Sequence, residues 1–232
     1  MTTHLVKHQK LTKRQIKEDP LVTAAFHGAA LWEQHGRKVL IGLAAVVLVG
    51  ILGGLMLRAR SQAEDRASGD LFKSTLAVQQ GDYPSAVQML KELIDASPDT
   101  DAAKHAMALL GDAYAAQGNA RDAATWYRKA LDKAGGDRAL RGASRSGLAA
   151  VLEDSKQYVE AAATYAQIAK DAESDNDRGN AMLMQARCLL AEGQSAKAAD
   201  VLRQILVLPG ADQTVTDPAK ARLGEIQASQ AR

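Results

Sequence analysis

Ala86, Ala123, Ala161 and Ala198 recur along the chain at intervals of 37, 38 and 37 residues. Around three of them the setting recurs too: a glycine five residues before and a large apolar residue four after, as Gly81/Leu90, Gly118/Tyr127 and Gly193/Leu202. The remaining unit reads Lys156/Ala161/Tyr165, with lysine where the others have glycine. A fixed period of this length marks one supersecondary unit that cannot bury its apolar face alone and must stack on its neighbours. Alanine is abundant and only two Phe and two Trp occur, so the unit is built from helices rather than strands. The spacing predicts an all-α solenoid of about four helical hairpins, over residues 62–98, 101–134, 138–173 and 177–208. A last helix is expected after Thr216 and Asp217, with Pro218 in its first turn, capping the end of the stack.

The second unit carries the fullest pattern: Met107, Leu110, Gly111, Tyr114, Ala123, Tyr127 and Ala130. At these spacings it resembles the tetratricopeptide repeat, W-x₂-L-G-x₂-Y…A-x₃-F. In such a hairpin the small residues Gly111 and Ala123 let the two helices cross closely, while Tyr114 and Tyr127 fill the space around the contact. Gly118 is placed to end the first helix in the left-handed conformation. Pro98 closes unit one as the family's terminal proline does, whereas unit two has Gly135 there. Ser74, Ala149 and Ala186 stand where Gly111 stands in the second unit. Trp126, Tyr158 and Tyr165 are expected to pack rather than to bind.

Ahead of the repeats, Val39 to Leu57 is a run of nineteen residues without a polar side chain, twelve of them Leu, Ile or Val. At about 1.5 Å per residue this nearly matches a ~30 Å hydrocarbon core, so a single transmembrane helix is predicted over 39–57. A cleaved signal peptide fits less well, because thirty-eight residues precede the run and its length exceeds a signal's usual apolar region. Lys7, Lys10, Lys13, Arg14, Lys17, Arg37 and Lys38 outnumber Arg58, Arg60, Arg66 and Lys73 beyond it, which puts the N-terminus inside. The organisation expected is a basic cytoplasmic tail over 1–38, a span over 39–57, and an extracytoplasmic repeat domain over 58–232. Gly50 and Gly54 have the small-xxx-small spacing that lets membrane helices approach, and are candidate packing residues. In the tail, Thr12 and Gln15 form a capping box and Pro20 opens a helix to His35. Val22, Phe26, Ala29 and Ala30 share one face of it, with Trp32 beside them, suited to the inner leaflet.

The net charge of +2 divides into a tail of seven bases against three acids and, over 61–232, twenty bases against twenty-four acids. An acidic repeat domain argues against nucleic acid. Four of the five histidines, His4, His8, His27 and His35, lie in the tail at spacings that suit no metal site. Cys188 is alone and sits among apolar neighbours, where a buried thiol is expected. No H-E-x-x-H or C-x-x-C occurs, and the glycines at 42, 50, 53 and 54 lie in the apolar run rather than in a phosphate loop. The chain is therefore not expected to be an enzyme or to take a cofactor, a metal or a small-molecule substrate.

Taken whole, the basic tail with its LTKRQIKEDPLVT stretch (Leu11 to Thr23), the one span and the repeats resemble the ancillary SecYEG translocon subunit family of bacterial single-span proteins. That resemblance implies an inner-membrane protein with periplasmic repeats, partnered by the export channel and by periplasmic folding factors. It also implies that partner segments lie along the inner curve formed by successive first helices. Carried onto this sequence, the curve includes His105, Ala108, Asp112, Ala115, Ser146, Glu153, Asn180 and Arg187. Two other readings stand beside it: a structural accessory subunit of another envelope complex that docks one fixed partner, and a signalling adaptor whose tail reads a cytoplasmic protein. Exposed apolar residues along the inner curve favour a chaperone scaffold; a charged, well-defined patch favours a fixed partner.

Overall fold

The computed structural model describes residues 20–230, with side chains from Gly36 to Ser229 apart from Val39. The capping box at Thr12 and Gln15, and the side chains of the face containing Val22, Phe26 and Trp32, lie outside the described residues. All secondary structure among the described residues is helical: α1 (Pro20–Gln79), α2 (Tyr83–Ala96), α3 (Asp101–Ala116), α4 (Ala120–Lys133), α5 (Arg138–Asp154), α6 (Tyr158–Asp171), α7 (Asp175–Ala191), α8 (Ser195–Ile205) and α9 (Gln213–Gln230). The chain divides into two compact units, one ending at Ala59 and the other beginning at Arg60.

The first unit contains the apolar stretch, helical throughout. Among the described residues α1 is the one helix long and apolar enough to cross a membrane. Leu40, Ile41, Leu43, Val46, Val47, Leu48, Val49, Ile51, Leu52, Leu55, Met56 and Leu57 are all exposed, and a methyl group on Gly50 or Gly54 would meet no neighbour within 4 Å. In this unit the helix expected to open at Pro20 and the span expected over 39–57 are not separated by a break.

The second unit is the stack. From α2 to α9 each helix packs on its neighbours in the chain; α3 also meets α5, and α7 also meets the last helix, α9. Each hairpin turns by the same device. The N–H of Asn119 bonds the Tyr114 carbonyl at 2.9 Å while that of Gly118 bonds Ala115 at 2.9 Å, which is a Schellman closure. The pairs recur at Asp82/Gly81, Gln157/Lys156 and Gln194/Gly193. The left-handed residue that this closure needs has φ of +77°, +76° and +77° at Gly81, Gly118 and Gly193, and +60° at Lys156. Thr100, Asp137 and Ser174 then cap α3, α5 and α7 by accepting the N–H of the residue three further on.

One buried cluster runs from Ala67 through Leu90, Leu110, Tyr127, Leu140 and Leu152 to Cys188, and a second joins Met182, Ala198, Leu202 and Ile205 to Val215, Ala219 and Leu223 of α9. Trp126, Tyr158 and Tyr165 pack against the first cluster, and Cys188 is fully buried. The last helix starts earlier than expected, at Gln213, so Pro218 lies inside α9 rather than at its first turn. Asp212 sets that earlier start: its carboxylate accepts the N–H of Thr214 at 2.8 Å and its carbonyl accepts that of Thr216 at 3.1 Å.

Candidate functional site

The face presented by the first helices of the hairpins, α3, α5 and α7, carries the residues marked from sequence. Two registers are represented: Ser146 and Glu153 of α5 stand 38 residues after Ala108 and Ala115, whereas Asn180 and Arg187 of α7 stand 75 after His105 and Asp112. His105 is exposed and its Nε2 lies 3.1 Å from Asp137 Oδ2 at the start of the next hairpin's first helix. Asp137 is held below the usual carboxylate range, first by its bond to the Leu140 N–H and further by His105. Asn180 and Ser146 are exposed and Ala115 is half-buried against the core. Ala108 is a correction: it is buried in the core cluster, 9% exposed, and offers no contact to a ligand. It lies between Met107 and Leu109, on the side of α3 that the neighbouring helices cover.

The structure joins two of the marked residues directly. Arg187 on α7 bonds Glu153 on α5 through Nε to Oε1 and Nη2 to Oε2, both at 2.7 Å, and Tyr165 Oη donates to the same carboxylate at 3.1 Å. Burial, then the charge of Glu153, pushes the Tyr165 hydroxyl up to about 12. Asp112 accepts from Tyr127 Oη at 2.6 Å, and desolvation raises its carboxyl above the usual range despite that bond. Asp112 and Glu153, the two acids marked on this face, are thus both bonded within the fold.

Ser146 lines a cleft of about 700 Å³ between α5, the end of α6 and the start of α7, together with Arg138, Arg141, Arg145 and Lys170. Three of those cations are engaged: Arg138 with Glu173 at 2.7 Å, Arg145 with Asp171, and Arg141 with the Gly135 carbonyl. A second groove, of about 370 Å³, has different chemistry. Leu183, Met184, Ala186, Arg187 and Leu190 of α7 form one wall, Pro218 and Arg222 of α9 the other, over Leu202 of α8. Of these only Arg187 was marked from sequence. The signal was in the register: Leu183 stands 37 residues after Ser146 and Leu190 stands 37 after Glu153. Among the described residues no cluster of His, Cys, Asp or Glu has the arrangement of a metal site.

A stack of helical hairpins closed by one repeated turn, with a continuous face of first helices, defines a repeat scaffold for protein–protein interaction. Residues 73–138 and 180–208 match family models of the tetratricopeptide repeat, so the chain carries tetratricopeptide repeats. None of the curated proteins compared matches the chain. Among solved structures it is similar to the "kinesin light chain nearly identical TPR-like repeats" of Podosopora anserina, at 20% identity and a TM-score of 0.55 over 73% of this chain and 89% of that one. It is also similar to a MamA fragment from Desulfovibrio magneticus RS-1, at 18% identity and a TM-score of 0.51 over 72% of this chain and 96% of that one. At these identities the likeness concerns the fold.

Proposed function

We propose that this chain is a membrane-anchored interaction scaffold. In this reading residues 39–57 span a bacterial inner membrane, the basic tail stays in the cytoplasm, and the repeats serve the protein-export translocon or its folding factors on the periplasmic side. The observation that supports the anchor is the exposed apolar surface of the stretch from Leu40 to Leu57. A patch of that size in water drives association, whereas lipid satisfies it. Lys7, Lys10, Lys13, Arg14, Lys17, Arg37 and Lys38 before it, against Arg58, Arg60, Arg66 and Lys73 after it, support the orientation. The half-buried Leu183, Met184 and Leu190 on the inner face support a groove for varied apolar segments.

A second reading, a structural subunit of another envelope complex, draws on units two and three, where Asp112 and Glu153 are already bonded within the fold and the surface is polar and fixed. Affinity purification of the full-length protein in mild detergent, with mass spectrometry at native expression, separates the two. Recovery of export-channel subunits with periplasmic folding factors is expected. A single stoichiometric complex of another kind would sink the translocon reading. Extraction of the protein by alkaline carbonate would remove the anchor.

A further inference from the structure

The groove between α7 and α9 differs from the rest of the inner face in ways that specify what fits it. Its wall residues Leu183, Met184 and Leu190 are half-buried, so apolar surface remains open to a partner, and Leu202 beneath them is fully buried. Its charged lining residues are two arginines, Arg187 and Arg222, with no acid between them. The neighbouring cleft at Arg138 has a comparable number of bases and acids, and its arginines are engaged. In the α7/α9 groove Arg187 is forked to Glu153, while Arg222 pairs among the described residues with Glu225 one turn along its own helix, an exposed pair at 2.8 Å that a competing carboxylate displaces at little cost. A volume of about 370 Å³ lies at the small end of binding cavities and suits a few side chains rather than a long stretch of chain.

We propose, resting on the scaffold reading above, that this groove is the anchoring subsite for an acidic amphipathic helix of a partner protein. Two aliphatic side chains one turn apart enter between Leu183, Met184 and Leu190, and a flanking carboxylate meets Arg222. Insertion of i and i+4 anchors into an apolar groove is the usual way a helix docks. Arg222 fixes which helices are accepted, because its weak pair with Glu225 yields to an incoming carboxylate and gives a basic flank nothing to displace it for.

The test uses the full-length protein in detergent micelles, with empty micelles as the blank. The probe is a fluorescent, helix-forming peptide carrying two leucines four apart flanked by glutamates, one leucine being a photoreactive analogue. A second peptide has lysines in place of the glutamates. Arg222→Glu is exposed and leaves the core intact. Anisotropy is expected to show preference for the glutamate peptide, about tenfold weaker binding of it by R222E, and a gain in binding of the lysine peptide by that variant. Adducts are expected on Met184 or Leu190. Equal binding of both peptides, no binding of the glutamate peptide, or no response to R222E overturns the proposal. Adducts confined to Ala115 or Ser146 also overturn it while leaving the wider inner face as the docking surface. Co-purification of partners decides the scaffold reading separately.

Discussion

The ring of Tyr127 in α4 lies against Gly147 in α5, so close that a methyl group built on that glycine would come to 2.5 Å from Cε1. The same ring meets Gly111 of α3, where an added Cβ would lie 2.7 Å from Cδ1 and Cε1. Tyr127 is therefore held between two hairpins by two glycines, with its hydroxyl fixed on Asp112. It cannot retreat from a larger neighbour without giving up that bond or its burial.

Gly147→Ala is thus expected to destabilise the stack by about 2 kcal/mol, the ordinary cost of overpacking. Gly142 lies in the same helix with nothing within 4 Å of an added methyl. There Gly142→Ala is expected to stabilise by up to ~1 kcal/mol, through helix propensity and a less free unfolded chain. Urea unfolding of the full-length protein followed by circular dichroism reads both. Equal effects from the two substitutions would mean that the ring does not set the spacing.

Lys156 occupies the left-handed turn that glycine fills in the other three hairpins. A side chain with a Cβ pays a steric cost there that glycine avoids. Lys156→Gly is expected to raise stability by about 1 kcal/mol, and Gly118→Lys to lower it by a similar amount. Thermal midpoints that move the same way for both changes would contradict the shared turn.

Much of this architecture was legible because the repeat period and the turn glycines act locally. Gly118 needs only its own hairpin to explain it, and the left-handed φ expected there is found. Gly147 escaped notice because its reason lies in the preceding hairpin, and a glycine in the middle of α5 gives no local sign of the ring it admits. Ala108 was placed on the ligand face by register alone, although its small side chain lets the packing of α3 cover it. Pro218 suggested a helix start, but Asp212 supplies a cap earlier, and Pro218 falls in the second turn of α9. The groove between α7 and α9 depends on two helices in different positions of the repeat, one of them outside the regular period.

Acid should loosen the stack. Asp137 is lowered chiefly by its cap to the Leu140 N–H, Asp171 by its bond to Arg145, and Asp212 by Thr214. A carboxyl with a depressed native pKa binds fewer protons folded than unfolded. Its stabilisation is therefore present above the unfolded value near 3.8 and is lost as pH falls through the native one. Asp112 runs the other way, since its raised pKa makes ionisation unfavourable in the fold. The urea midpoint is expected to fall below about pH 4, with a shallower fall in Asp137→Ala. In Asp112→Asn, which keeps an acceptor for Tyr127, the midpoint is expected to rise at neutral pH and lose that advantage in acid. A midpoint flat between pH 5 and pH 2 would contradict the assignment.

Glu153 and Arg187 supply the last test, because together they tie α5 to α7 across two hairpins. The carboxylate is 17% exposed and takes both arms of the guanidinium, while Tyr165 takes up further acceptor capacity. Removing Arg187 leaves a mostly buried charge with one phenolic donor; removing Glu153 leaves an exposed cation that water solvates. Arg187→Ala is therefore expected to cost more than its exposure suggests, about 1 kcal/mol. In a double-mutant cycle with Glu153→Gln, a coupling of about 1 kcal/mol is expected, since geometry is bidentate and one partner is sheltered. Additive effects would show the pair to be a surface contact with no part in joining the hairpins. The Tyr165 hydroxyl gives an independent readout: its pKa near 12 owes part of its elevation to the Glu153 charge, so it should drop in Glu153→Gln whatever happens to stability.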